Sequence, residues 1–170
     1  MDQVDFNKLW QNFVDTVTNH YADFNGRVGR AQFWWYMLVV FVLGLGVGII
    51  ASITLWLLST LFYLAIFLPN LGMTVRRLHD SGKPGIWAAL LFAPLVLAVF
   101  SGLMVLSYGF YGLFGLFALL GLIRLVTLAA IAVLIYFCVQ PGDAGSNAYG
   151  PPPAEWTPKG AAPPTAPPAT

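Results

Sequence analysis

The sequence predicts an all-α, polytopic membrane protein. Its expected form is a four-helix transmembrane bundle with an N-terminal amphipathic interfacial helix and a disordered Pro-rich C-terminal tail. Three observations predict this. Apolar residues make up 58% of the 170 residues and charged residues only 9%, where a soluble domain carries about 25% charge. Mean hydropathy is +0.75. The few charges are also clustered: none falls in the 45 residues from Ala31 to Val75, nor in the 38 from Ile86 to Ile123. A net charge of +1 excludes a strongly basic nucleic-acid binder. A single cysteine, Cys138, excludes an internal disulfide and a cysteine-built zinc site.

The first unit covers residues 1–24. Phe6, Trp10, Phe13, Val14, Val17, Tyr21 and Phe24 recur at three- and four-residue intervals, which places them on one helical stripe. Asp2, Lys8, Gln11, Asp15 and Asn19 fall largely elsewhere, so a helix lying in the membrane interface or against the protein's own helices is expected. The first 30 residues lack a basic start followed by an apolar stretch, so no cleavable signal peptide is expected.

The second unit, residues 25–140, holds the membrane domain. Crossing a bilayer core of ~30 Å takes roughly 20 helical residues. The 45-residue stretch therefore fits two crossings, and the 54 residues from Ile86 to Val139 fit two more. The expected helices are 33–54, 57–75, 86–106 and 117–139. Trp34, Trp35, Trp56, Trp87 and Tyr108 stand near their ends, where aromatic rings favour the headgroup level. Lys8, Arg27 and Arg30 precede the first helix, and Arg76, Arg77 and Lys83 lie between the second and third. The turns after the first and third carry no Lys or Arg, so both termini are expected to be cytoplasmic. The third unit, 141–170, contains nine of the twelve prolines and is expected to be mostly disordered.

Three motifs carry the polar chemistry. Phe24-Asn-Gly26-Arg27-Val-Gly29-Arg30-Ala-Gln-Phe33-Trp34 stands before the first helix. Arg76-Arg77-Leu78-His79-Asp80 closes the second. Gly145-Ser-Asn147-Ala-Tyr149-Gly150-Pro151-Pro-Pro153 follows the fourth. An up-down-up-down bundle brings all three to one membrane face. In this order and spacing they resemble the domain-of-unknown-function family numbered 805, small bacterial inner-membrane proteins. The resemblance implies a multi-pass location in the bacterial inner (plasma) membrane and a compact helical unit; it implies no activity and no cofactor.

The candidate cytoplasmic-face constellation is Arg27, Arg30, Arg76, Arg77, His79, Asp80 and Asn147. Its arginines can grip anionic lipid headgroups, or Asp80 can pair with one of Arg27, Arg30, Arg76 or Arg77 and fix the helix ends. Asn70, beside the helix-breaking Pro69, and Arg124, the one charge of the fourth helix, are the intramembrane polar candidates. Gly44 and Gly48 form a pair at the spacing that permits close helix contact. No catalytic, cofactor-binding or metal-ligating set is assigned: beside His79-Asp80 the chain offers only His20 and few further carboxylates, short of a metal site's ligands. The expected function is a non-enzymatic module whose basic face binds anionic lipid or a membrane or cytoplasmic protein partner, with oligomers open. The competing readings are a transporter or channel component using Asn70 and Arg124, and a membrane-interface enzyme using His79 and Asp80.

Overall fold

The computed structural model describes residues 6–53, 56–92 and 112–154. Over these residues the chain is helical: α1 Phe6–Asn19, α2 Arg30–Ile53, α3 Trp56–Asp80, a 3-10 segment Gly85–Phe92, and α4 Gly112–Val139. Three helices, over Arg30–Ser52, Leu57–Asp80 and Leu119–Val139, are long and apolar enough to cross a membrane. The expected third crossing, 86–106, begins as the 3-10 segment, and everything after Phe92 in it lies outside the described residues. Where the boundaries differ most, α3 runs to Asp80 rather than 75, so the Arg-Arg-Leu-His-Asp motif is itself the helix end.

α2 and α3 form an antiparallel pair, α1 packs across both, and the 3-10 segment wedges between α3 and α4. One apolar cluster gathers Phe13 of α1, Val28 just before α2, Phe33 and Tyr36 near the start of α2, Met73 of α3 and Cys138 of α4. A second joins Leu78, Ala88 and Leu134. Both lie toward the end of the molecule where the motifs meet. Toward the other end, Leu57, Leu58, Leu61 and Leu64 of α3 are exposed, as suits side chains facing lipid tails. Of the α2 glycines, a Cβ added at Gly44 would stand 3.2 Å from the Tyr63 hydroxyl, while one at Gly46 or Gly48 would meet nothing within 4 Å among the described residues.

The expected stripe of α1 is not the face that the protein buries. Phe13 is buried, but Phe6, Trp10 and Val14 are exposed, and the residues turned inward beside Phe13 are Asn12 and Thr16. Thr16 donates to the Asn12 carbonyl at 2.8 Å and the Asn12 amide donates to the Gln32 carbonyl at 2.9 Å. The buried side of α1 thus hides polar groups that are hydrogen-bonded within the protein.

Pro69 lies inside α3 and has no N–H to offer the carbonyl four residues earlier, that of Ala65. The Tyr21 hydroxyl, from the loop after α1, donates to that oxygen at 2.7 Å. One turn on, Tyr36 donates to the Asn70 side-chain oxygen at 2.8 Å, tying α2 to α3 beside the proline.

Candidate functional site

The end of α3 is closed by a local stop signal. Gly82 has φ +67°, a left-handed conformation that glycine adopts without a Cβ penalty. The Lys83 amide donates to the Leu78 carbonyl at 2.9 Å and the Gly82 amide to the His79 carbonyl at 3.1 Å, the paired bonds of a Schellman cap. The chain then passes Pro84 and enters the 3-10 segment.

Asp80, the last residue of α3, sits where the helix dipole disfavours a carboxylate. Two guanidinium groups reverse that. Arg27 approaches Asp80 Oδ1 with Nη2 at 3.0 Å and Nε at 3.1 Å. Arg77 Nη1 bonds Asp80 Oδ2 from one turn earlier in the same helix. The side chains are 1% exposed for Arg27, 0% for Arg77 and 5% for Asp80. Burying such a group is tolerable when its remaining polar atoms are also partnered, and here every guanidinium nitrogen of both arginines is hydrogen-bonded. Arg27 donates further to the carbonyls of Asp143 at 2.5 Å, Gly145 at 2.7 Å, and Asp80 and Gly150 at 3.3 Å. Arg77 donates to the carbonyls of Cys138, at 2.9 Å, and Gln140. Those carbonyls end α4, so Arg77 caps α4 from α3, with a cation at the negative end of the helix.

The third motif folds back over this core. The Asp143 backbone amide donates to the Asp80 carbonyl at 2.8 Å, and the Asn147 side-chain Nδ2 donates to the His79 carbonyl at 2.9 Å and to Asp143 Oδ2 at 2.8 Å. The Asn147 side-chain oxygen accepts the Tyr149 amide at 2.9 Å. Tyr149 stacks on the His79 ring, with centroids 3.7 Å apart and planes within 3°. His79 Nδ1 lies 3.2 Å from the Gly26 carbonyl, which can only accept, so the ring nitrogen carries the hydrogen. Gly142 leaves no alternative residue: an added Cβ would stand 2.1 Å from Asp80 Oδ2. Residues 141–154 are thus part of the folded unit, and the rest of the Pro-rich tail, from residue 155, lies outside the described residues.

Arg76 points elsewhere, toward α1. It is buried, yet its Nη1 is 3.8 Å from Asp23 Oδ2, its Nη2 contacts the Met73 sulfur at 3.3 Å, and its Nε has no hydrogen-bond partner among the described residues. Asn12 Oδ1, also buried, is likewise unpartnered. Asp23 is shared with His20, whose Nδ1 lies 2.9 Å away. Burial alone would raise the Asp23 carboxyl, but the Asn25 amide, His20 and Arg76 together hold it below the usual carboxylate range.

Of the residues singled out from sequence, Arg27, Arg77, His79, Asp80 and Asn147 come together in one clasp. Arg76 lies behind it, and Arg30 is exposed at its edge. Asn70 stands apart, bonded to Tyr36, and Arg124 is exposed on α4, about 22 Å from the Val139 end at ~1.5 Å per residue. Lys83 lies over the Phe137 ring at 4.9 Å. Among the described residues, no group of three or more His, Cys, Asp or Glu side chains converges as a metal site would require.

The clasp is built from residues between Arg27 and Gly150, and residues 21–151 match the family described as "Protein of unknown function (DUF805)". The chain belongs to the DUF805 family. Similarity extends to Inner membrane protein YhaI of Escherichia coli (strain K12), 33% identical over 138 residues, which are 79% of this chain and 89% of that protein. Inner membrane protein YhaH of the same strain is 29% identical over 96 residues, 50% of this chain and 79% of that one. No solved structure matches the chain. This DUF805 chain is therefore a membrane protein, similar to proteins named for the inner membrane, with three membrane-capable helices.

Sequence reasoning missed Tyr149 as the lid on His79, and the carbonyls of Cys138, Gln140, Asp143 and Gly145 as the arginine acceptors. A tyrosine two residues after Asn147 was a visible signal for the first; the carbonyls give none, since every residue has one.

Proposed function

We propose that the protein is a non-enzymatic inner-membrane module with four crossings and both termini cytoplasmic, whose cytoplasmic face engages anionic lipid. In this reading α1 lies in the cytoplasmic interface with Phe6, Trp10 and Val14 toward lipid, and the third crossing falls in residues 86–106. The observation that carries it is the division of the basic residues. Arg27, Arg76 and Arg77 are buried inside the protein, where they hold helix ends, while Arg30 faces outward beside exposed Trp34 and Trp35. A cation next to aromatic rings at the end of an apolar helix suits a headgroup layer.

The lipid reading is tested by the thermal midpoint of the protein in nanodiscs. Phosphatidylglycerol should raise it above that in phosphatidylcholine, and added salt should diminish the difference by screening. Equal midpoints in the two lipids would overturn it. The topology is tested with an impermeant maleimide on intact cells. Thr54→Cys and Ser107→Cys should label from outside, and Ser146→Cys only after lysis. External labelling of Ser146→Cys would contradict the orientation.

A further inference from the structure

α2 and α4 flank α3 and leave between them a groove of about 800 Å³, within the ~300–1,000 Å³ of ordinary small-molecule sites. It is lined by Trp34, Leu38 and Phe41 of α2 and Ile131 and Ile135 of α4, with Thr74 of α3 among its few polar groups. On α2 the lining runs from Ala31 to Phe41. Ten residues at ~1.5 Å rise give a length of about 15 Å, half of a ~30 Å bilayer core and therefore one leaflet deep. The groove opens beside the clasp, where the lining includes Cys138, whose carbonyl holds Arg77.

Among the described residues, the charge at that end is uncompensated. Arg30, which adjoins the lining residue Ala31, is exposed and has no ion pair or hydrogen bond from its side chain among the described residues. Arg77 is enclosed and bonded to Asp80 and two carbonyls, so it offers the outside nothing. An apolar slot one leaflet deep, ending at an unpaired guanidinium, is complementary to a molecule with a hydrocarbon chain and a net negative head. A guanidinium matches phosphate oxygens in geometry as well as in charge.

Resting on the lipid reading above, the geometry points to a specific site: one anionic phospholipid, with an acyl chain in the α2–α4 groove and its phosphate on Arg30. The test is native mass spectrometry of the delipidated full-length protein, given equal amounts of phosphatidylglycerol and phosphatidylcholine with the same chains. The wild type should retain one lipid and prefer phosphatidylglycerol by about fivefold, the factor expected of one basic side chain near a headgroup. Arg30→Gln should bring that preference to parity while a lipid is still retained. Ile131→Trp, which fills the groove from an exposed position, should abolish retention; Leu125→Trp, on α4 outside the lining, should not. Helicity by circular dichroism checks that each variant is folded. If Ile131→Trp fails to fold, Leu38→Trp fills the same groove from α2. A phosphatidylglycerol preference that survives both Arg30→Gln and the groove-filling variant would overturn the site but leave the general lipid reading standing. Wild-type protein with no preference would overturn both. A lipid-free dimer that Ile131→Trp dissociates would show that a second copy occupies the groove, and would also overturn the proposal.

Discussion

Arg76 and Arg77 are consecutive in α3 and both buried, but a rotation of about 100° between them sends them into opposite surroundings. Arg77 enters the clasp, where Asp80 and two α4 carbonyls satisfy it. Arg76 enters the space under α1, where its carboxylate partner is 3.8 Å away and half-exposed, a sulfur contact stands in for an oxygen, and Nε bonds to nothing among the described residues. The difference separates a cation that organises the fold from one the fold merely accommodates. A buried ion pair resists removal of one partner when the other would be left charged and enclosed; it resists little when the other can turn to water.

Asp80→Ala should therefore give the largest effect, a loss of about 3–5 kcal/mol, because it strands two enclosed guanidinium groups. Unfolding by SDS titration in mixed micelles measures it, and a loss near that of an exposed pair would mean that the clasp is open to solvent. Arg76→Met should change the same unfolding free energy by no more than ~1 kcal/mol, since Asp23 retains His20 and solvent. If Arg76→Met proved as costly as Asp80→Ala, the contrast between the two arginines would collapse.

Smaller effects sharpen the α1 side of the comparison. Tyr21→Phe should cost about 0.6 kcal/mol, the mean for a hydrogen bond in a membrane protein, by orphaning the carbonyl that Pro69 frees. Hydrogen exchange at the α3 amides around Ala65 should then rise, and unchanged exchange would show that Tyr21 does not bind there. Asp23 should give the smallest effect. Its carboxyl is held below its unfolded value, so its contribution is complete above a pH of about 3.9 and disappears as pH falls through the lower folded value. Asp23→Asn should flatten stability against pH only in that acid range, and a difference appearing near neutrality would contradict the assignment.

The apolar runs made the helices legible, because length and charge spacing alone fix how many residues lipid can hold. The pairing of Asp80 with arginine was legible too: a carboxylate among at least four guanidinium groups at one helix end has few alternatives, and it takes two of them, Arg27 and Arg77. Which arginine takes which role was not. Arg76 and Arg77 are the same residue type one step apart, and their roles follow from the turn of the helix and from where α1 and α4 lie. The α1 periodicity identified a helix and its apolar stripe, but not that Asn12 and Thr16 turn inward beside Phe13 while Phe6 and Trp10 stay exposed. In water that pattern would bury the aromatics; beside lipid the polar groups are the ones that need partners. Gly142 carried no signal at all, because the approach of Asp80 that forbids a Cβ there is a tertiary contact.

Asp80, through Arg27 and Arg77, holds the segment after α4 against the segment before α2. Gly29 and Pro153 meet across that junction, a Cβ at Gly29 standing 3.8 Å from Pro153 Cγ. In a Cys138→Ala background, Gly29→Cys with Pro153→Cys should form an intramolecular disulfide on mild oxidation, read by mass spectrometry of the intact chain. Adding Asp80→Ala should abolish it in protein whose circular dichroism still shows helix. A disulfide formed equally well without Asp80, or not formed with it, would contradict the clasp.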